Sequence, residues 1–308
     1  MDDRRDAPDP VLAGRIAIIE QCLAGRLSAP VALGRLLLAA PPGDAVAELE
    51  RALTAVAVRS DDAPARARLA ELRALLGEVR AGCLNVAGLA RGDAGRATAS
   101  PADAVARWAD FFDRAVAESE EASVALYSLG SPRILERATA EVVALLERWG
   151  VVGPERAVLQ VGCGVGRIEA LLAPRVREAV GIDVSAGMIE AARRRCAHLP
   201  NARFLRTGGR NLRDFGDGAF DLVYAVDAFP YLVEAGMSLV EAHMREARRV
   251  LRPGGDVVIL NFSYRGDPAA DRSDVARLAG AFGFEVLVGG ETPFTVWDGV
   301  AFHLRRGE

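Results

Sequence analysis

Four short stretches of the chain hold residue types that could do chemistry together. In Val158-Leu159-Gln160-Val161-Gly162-Cys163-Gly164-Val165-Gly166-Arg167 an apolar run passes into three alternating glycines. A ligand can lie against bare backbone there, where a side chain would block its approach. Val180-Gly181-Ile182-Asp183 is a second apolar run, ending in a carboxylate. Strand, glycine loop and a later acidic residue point to a nucleotide-like cofactor, and the spacing alone leaves a dinucleotide open. Val226-Asp227-Ala228-Phe229-Pro230-Tyr231 and Asn261-Phe262-Ser263-Tyr264 each follow an apolar run and place polar and aromatic groups where a second reactant could bind.

These residues need a scaffold, and the pattern around them supplies one. Short apolar runs near 157–161, 179–183, 203–206, 220–226 and 255–261 alternate with helical stretches near 166–173, 187–197, 232–250 and 271–282. Strand and helix in alternation imply a parallel sheet with right-handed crossovers and helices on both faces. Two further strands are expected near 284–288 and 299–304. Upstream, Ser131-Pro132 opens a helix running to about Trp149, because proline suits a first helical turn and the serine before it can cap. An amphipathic segment over 102–121 carries Trp108, Phe111 and Phe112.

The first hundred residues differ in texture. They are rich in Ala, Leu and Arg, with helical periodicity as in Val46-Leu49-Leu53-Val56. Breaks are expected at Pro30, at Pro41-Pro42-Gly43 and at Asp61-Asp62-Ala63-Pro64, and the small, polar stretch 91–101 is the expected linker. The reading is a helical module over 1–100, serving dimerisation or closure, followed by a cofactor-binding domain over 101–308.

Composition bounds the chemistry further. The 308 residues carry a net charge of −4 and are 51% apolar, enough for a sizeable core. There is no basic surplus or stripe, so nucleic acid is not an expected partner. The charged start Met1-Asp2-Asp3-Arg4-Arg5-Asp6 leads into no signal-peptide core and no apolar run is long enough to span a bilayer. No membrane association and a cytoplasmic location are expected. Every basic side chain is arginine, so no lysine base or Schiff base is available. Cys22, Cys83, Cys163 and Cys196 show no C-x-x-C pairing and suggest neither a disulfide framework nor a zinc site. No metal is expected.

Taken in succession, V-L-Q-V-G-C-G-V-G-R, G-I-D-V-S-A-G-M-I-E-A-A-R, F-D-L-V-Y-A-V-D-A-F and R-R-V-L-R-P-G-G resemble a class I S-adenosylmethionine-dependent methyltransferase of the small-molecule branch. The resemblance is close over 157–261 and looser over 132–303. It implies an α/β fold: a Rossmann-like, doubly wound seven-stranded sheet in the order 3-2-1-4-5-7-6, with the N-terminal all-α module added. The implied cofactor is S-adenosylmethionine, leaving as S-adenosylhomocysteine.

The resemblance also implies roles. Gly162, Cys163, Gly164 and Gly166 would pass beneath the methionine half of the cofactor, Asp183 would accept hydrogen bonds from the ribose hydroxyls, and Val184 and Met188 would line the adenine pocket. Gly209, Arg210, Asn211 and Leu212 follow the third strand. Asn211 stands where many relatives place an acid, and its amide oxygen could accept from the adenine amino group. Val226 ends the fourth strand beside the cofactor. Asp221 and the Leu251-Arg252-Pro253-Gly254-Gly255 turn complete the pattern. Tyr127, with the aromatics of the preceding segment, would close over the cofactor as a lid that excludes water.

The expected acceptor is a small molecule, such as a natural-product intermediate. Asp227, Tyr231 and His243 are the candidate catalytic residues; Phe229, Tyr231, Asn261, Phe262 and Tyr264 are the candidate acceptor contacts. Tyrosine has too high a pKa to serve as a base near neutrality, so Tyr231 is expected to orient or shape. His198 precedes the third strand, at the wrong end of the sheet, and His303 falls inside the last strand. Positioning can supply most of the acceleration, because the sulfonium is already an excellent methyl donor. A cofactor-binding scaffold without catalysis and a nicotinamide-dependent oxidoreductase are the alternatives. Asp227-Ala228-Phe229-Pro230 stands where base-modifying relatives carry an N-P-P-Y-like element.

Overall fold

The computed structural model describes residues 10–40, 45–57, 62–93, 98 and 100–308. Pro41, Pro42, Gly43, Asp61, the charged start 1–6 and residues 94–97 and 99 of the expected linker lie outside them. The described elements begin with α1 (Pro10–Leu23), α2 (Ala29–Leu38), α3 (Ala45–Ala57), α4 (Ala63–Gly77), α5 (Ala81–Asp93), α6 (Pro101–Glu118), α7 (Glu120–Val124) and α8 (Pro132–Arg148). They continue with β1 (Ala157–Val161), α9 (Arg167–Leu172), β2 (Glu178–Asp183), α10 (Ala186–Arg195), β3 (Ala202–Arg206) and β4 (Phe220–Val226). Then follow α11 (Phe229–Ala235), α12 (Met237–Val250), β5 (Leu251–Leu260), α13 (Pro268–Phe282), β6 (Phe284–Glu291) and β7 (Ala301–Arg306).

Two compact units form. One holds α1 to α5 with Glu118–Arg137 and Thr295–Asp298. Its core pairs α2, with buried Leu33, Leu36 and Leu37, with α4 and its buried Leu69, Leu72 and Leu76, while α3, with buried Leu49 and Leu53, packs on α1 and α4. The break expected at Pro30 separates α1 from α2, with the proline opening the second helix: Ser28 caps the end, its Oγ accepting from Val31 N at 3.4 Å, and the proline sits in the first turn, where its missing N–H is not needed. Tyr127 belongs to this unit. Its ring stacks on Trp297, with centroids 6.2 Å apart at 22°, and a Cβ on Gly34 of α2 would come within 3.2 Å of its backbone.

The other unit holds residues 100–117 of the described chain together with Ala138–Phe294 and Gly299–Glu308. Its seven strands run in the order β3-β2-β1-β4-β5-β7-β6, as the resemblance implied. β1 to β5 are parallel, and β7 is antiparallel to both of its neighbours. β1 is buried along its whole length, as expected of a central parallel strand covered on both faces. The sheet core combines Leu159, Val161, Val180 and Ile182 with Val223, Val257 and Ile259, and with Val240, Met244 and Ala247 of α12.

Two local expectations change. The single helix over 232–250 is two, because Gly236 at φ +125° separates α11 from α12. The Arg252-Pro253-Gly254-Gly255 turn lies within β5 as an irregularity, where the register jumps from Phe220↔Leu251 to Leu222↔Asp256. Asp221 accepts from Ala157 N at 2.8 Å and from Arg252 Nη1 at 2.9 Å, tying together the starts of β1, β4 and β5. It is therefore a structural residue at the amino end of the sheet, opposite the glycine loop.

Candidate active site

In a sheet of this kind ligands bind beyond the carboxyl ends of the strands, where the strand order reverses. β1 and β4 flank that reversal. At the end of β1 the chain turns through Gly162, Gly164 and Gly166 at φ of 71°, 53° and 68°, a region costly for other residues. The N–H groups of Gly162 and Cys163 both donate to the Ile182 carbonyl, at 2.8 and 3.0 Å, and dock the loop on β2.

Approach of a ligand is not what requires glycine at two of these positions. A Cβ on Gly162 would lie 2.5 Å from the Ala228 Cβ, and one on Gly166 would lie 3.0 Å from the Ala192 Cβ. The chain's own packing sets the requirement. Cys163 is likewise a packing residue: its side chain is buried against Gly181 and with Ile189, Ala192, Cys196 and Phe204, and burial raises its thiol pKa well above the usual value. Its N–H is taken by Ile182, so it offers a ligand neither an ionised thiol nor a spare amide.

Asp183 joins the loop to the next helix. Oδ2 accepts from Gly164 N at 2.9 Å and Oδ1 accepts from Ser185 N at 3.0 Å. Burial raises its pKa, and the backbone donors oppose that rise. Ser185 caps α10, its Oγ accepting from Met188 N at 3.0 Å and donating to Asp113 Oδ1 at 2.5 Å, while Gly187 N also donates to Asp113 Oδ1 at 2.9 Å. Sequence reading missed Asp113, because a lone acid on an amphipathic helix gives no sign of a partner 72 residues away.

The stretch after β3 is brought to the same place. A Cβ on Gly209, whose φ is +65°, would meet Val184 Cγ1 at 2.6 Å and Val105 Cγ1 of α6 at 2.9 Å. Val184 and Gly209 thus form one apolar corner, with Val105 as an unforeseen third member, and Met188 is buried in α10. Asn211 forms an Asx turn, its Oδ1 accepting from Arg213 N at 3.2 Å. Arg210 is exposed, and Leu212 points into the sheet core.

Beneath the loop lies a buried polar group with no place in the expected site. Glu169 of α9 is fully buried; Tyr224 of β4 donates to it at 3.2 Å, and Gln160 of β1, with its amide nitrogen turned toward the carboxylate, donates to Oε2 at 3.1 Å. Burial pushes the Glu169 pKa up to about 8.

Across the reversal, β4 and β5 end in two non-glycine residues with left-handed backbone, Asp227 at φ +56° and Asn261 at φ +65°. Asn261 is pinned to Val300, donating from N to its carbonyl at 2.8 Å and accepting its N–H on Oδ1 at 2.8 Å. Its Nδ2 donates to Asp227 Oδ1 at 2.7 Å, and the Tyr264 hydroxyl donates to the same oxygen at 2.8 Å. Tyr231 lies in an aromatic cluster, its ring 4.6 Å from Trp108, 5.2 Å from Phe112 and 6.0 Å from Tyr264. Burial, then the charges of Asp227 and Glu234, raise its pKa, so it stays a neutral phenol.

Of the other expected residues on this side, Val226 is buried at the end of β4, and Phe229 and Phe262 lie in the sheet core with ring centroids 6.0 Å apart. His243 is buried in α12 with Nδ1 2.9 Å from the Leu239 carbonyl, and desolvation lowers its pKa. The geometry therefore brings Asp227, Asn261, Tyr231 and Tyr264 together, and gives Phe229, Phe262 and His243 packing positions. Among the described residues no group of three or more His, Cys, Asp or Glu could hold a metal ion. No described helix is long and apolar enough to cross a membrane.

Residues 158–255 match the family model of a methyltransferase domain. A demethylmenaquinone methyltransferase of Tropheryma whipplei is 33% identical over 115 residues, 37% of this chain and 45% of the relative. A 2-methyl-6-phytyl-1,4-hydroquinone methyltransferase of Synechocystis is 29% identical over 131 residues, 41% of this chain and 39% of the relative. The chain thus spans less than half the length of either protein. Among solved structures, a magnesium protoporphyrin IX methyltransferase of Synechocystis with bound S-adenosylmethionine superposes with a TM-score of 0.51 at 16% identity, over 69% of this chain and all of that one. Phosphoethanolamine N-methyltransferase 1 of Haemonchus contortus does so at 0.56 and 17%, over 68% of this chain and 50% of that one. At such identities these two establish the fold alone. Residues 158–255 thus carry a methyltransferase domain, and the strand order of the sheet is the one that the resemblance to class I S-adenosylmethionine-dependent methyltransferases implied.

Proposed function

We propose that the chain transfers a methyl group from S-adenosylmethionine to a small-molecule acceptor, natural-product intermediates included. The observation that carries this reading is Asp183, which ends β2 with each carboxylate oxygen holding one backbone N–H, of Gly164 and of Ser185. A carboxylate offers about four lone-pair sites, so the group is fixed in orientation and still able to accept from two ribose hydroxyls. The Val184–Gly209 corner with Val105 suits an adenine ring. The residues present fit the cofactor.

Bound S-adenosylmethionine supplies an electrophilic methyl group on a sulfonium. The chain's own contribution is positional and electrostatic. Asp227, held by Asn261, offers a fixed carboxylate at the end of β4 for a proton or a partial positive charge on the acceptor. Tyr231, kept neutral, orients and shapes, and the Trp108–Phe112 rings beside it exclude water. The small-molecule reading is supported by the relatives named for menaquinone and hydroquinone methylation.

A thermal-shift series tests the donor. S-Adenosylhomocysteine is expected to raise the melting temperature and NAD to leave it unchanged. The opposite pattern would replace methyl transfer by nicotinamide chemistry. Labelled S-adenosylmethionine with candidate acceptors then separates an enzyme from a binding scaffold.

A further inference from the structure

Tyr264 is anomalous. The residue is 60% exposed, yet its hydroxyl is fixed on a carboxylate at 2.8 Å, on an oxygen that also accepts from Asn261. The ring also stands edge-on to Tyr231, with centroids 6.0 Å apart at 86°, so an exposed side chain is held in one place from both its ring and its tip. Here the tip reaches the position that Asp227 and Asn261 create by adopting left-handed backbone at two adjacent strand ends. Such conformations persist where the surroundings over-determine them and cluster at ligand sites, and the two bonds from Asn261 to Val300 provide that over-determination.

We propose that the acceptor presents an aryl hydroxyl to Asp227, and that Tyr264 is a built-in stand-in that an incoming phenol displaces. This rests on the methyltransferase reading above and names its acceptor class. The chain itself shows that the Asp227 oxygen accepts a phenol at hydrogen-bonding distance, and that the ring of this phenol stands edge-on to Tyr231, which itself packs on Trp108 and Phe112. A phenol also fits better than an ammonium. The cation position over the Trp108 ring is already filled by the Arg107 guanidinium, 4.2 Å from its centroid and paired with Glu234 at 2.5 Å.

In the transfer, the acceptor oxygen forms its bond to the methyl carbon while the carbon–sulfur bond breaks and its electron pair returns to sulfur. The phenolic proton passes to the Asp227 carboxylate and from there to water. Products are an aryl methyl ether, neutral S-adenosylhomocysteine and one proton. Tyr264 then returns to Asp227.

The probe is p-cresol, titrated by calorimetry into full-length protein saturated with S-adenosylhomocysteine. Tyr264→Ala, at an exposed position that leaves the core intact, is expected to bind p-cresol at least tenfold more tightly than the wild type. Adding Asp227→Asn to it is expected to abolish that gain, and benzylamine is expected to gain little. Unchanged p-cresol affinity in Tyr264→Ala with S-adenosylhomocysteine affinity intact overturns the phenol proposal and leaves methyl transfer standing. An equal gain for benzylamine overturns it too. Failure of S-adenosylhomocysteine to bind the wild type removes the methyltransferase reading itself, and the proposal with it.

Discussion

On the β1–β2 side of the sheet reversal the chain makes its left-handed turns with glycine, at Gly162, Gly164 and Gly166; on the β4–β5 side it makes them with Asp227 and Asn261, at φ of 56° and 65°. Glycine lets Ala228 and Ala192 pack directly against the backbone at Gly162 and Gly166. Asp and Asn tolerate the left-handed region better than other side chains do, and they keep functional groups at the turn. The donor half is thus shaped by main chain and one clamped carboxylate, and the acceptor half by side chains held in one arrangement by strain and by Val300.

That contrast can be broken by substitution. Asp227→Asn keeps the shape of the acceptor half while removing its charge. Turnover is expected to fall by about 10²–10⁴, the range for a lost general base, with the melting temperature and donor affinity nearly unchanged; steady-state rates with any accepted substrate check it. Gly162→Val strikes the donor half, since the new side chain must enter a 2.5 Å gap at φ +71°. A loss of about 3 kcal/mol or more in denaturant unfolding is expected from overpacking plus backbone strain.

Glu169→Gln sharpens the picture beneath the loop. The folded-state pKa of Glu169, about 8, lies above its ordinary value of 4.5. The protonated form therefore stabilises the fold fully below about pH 4.5, and that contribution drains away as the pH rises toward 8. Glutamine stays neutral, so the variant is expected to match the wild type near pH 4.5 and to exceed its stability increasingly up to pH 8. Melting curves across that window decide it, and equal slopes would remove the buried-acid account. Smallest is Asp113→Ala, which removes an acceptor from Ser185 and Gly187 at the start of α10. About 1 kcal/mol of stability is expected to go, as for a helix cap.

The same contrast explains how far the sequence could be read. β1, β2 and β4 were legible because apolar runs bounded by glycine are local signals, and Asp183 stood at the end of one of them. The full strand order followed from the motif succession rather than from periodicity. Cys163, Leu212, Phe229 and Phe262 were expected to face ligands but are buried in packing. An apolar residue beside a site looks the same on paper whichever way it points. Asp113 with Ser185, Val105 with Gly209 and Trp108 with Tyr231 were invisible, because each pairs α6 with a residue far along the chain. The break expected at Pro30 falls between Leu23 and Ala29, just ahead of the proline, which opens the next helix.

The central claim is that donor and acceptor are bound by separate halves of one strand-end surface. Calorimetric titration of S-adenosylmethionine into the wild type, Asp183→Ala and Asp227→Asn tests it most directly. Asp183→Ala is expected to lose donor affinity by about 100-fold, the order for a lost charge-assisted hydrogen-bond pair, while Asp227→Asn binds within about threefold of the wild type, less than 1 kcal/mol. Undiminished binding by Asp183→Ala, or an equal loss in both variants, would contradict the division.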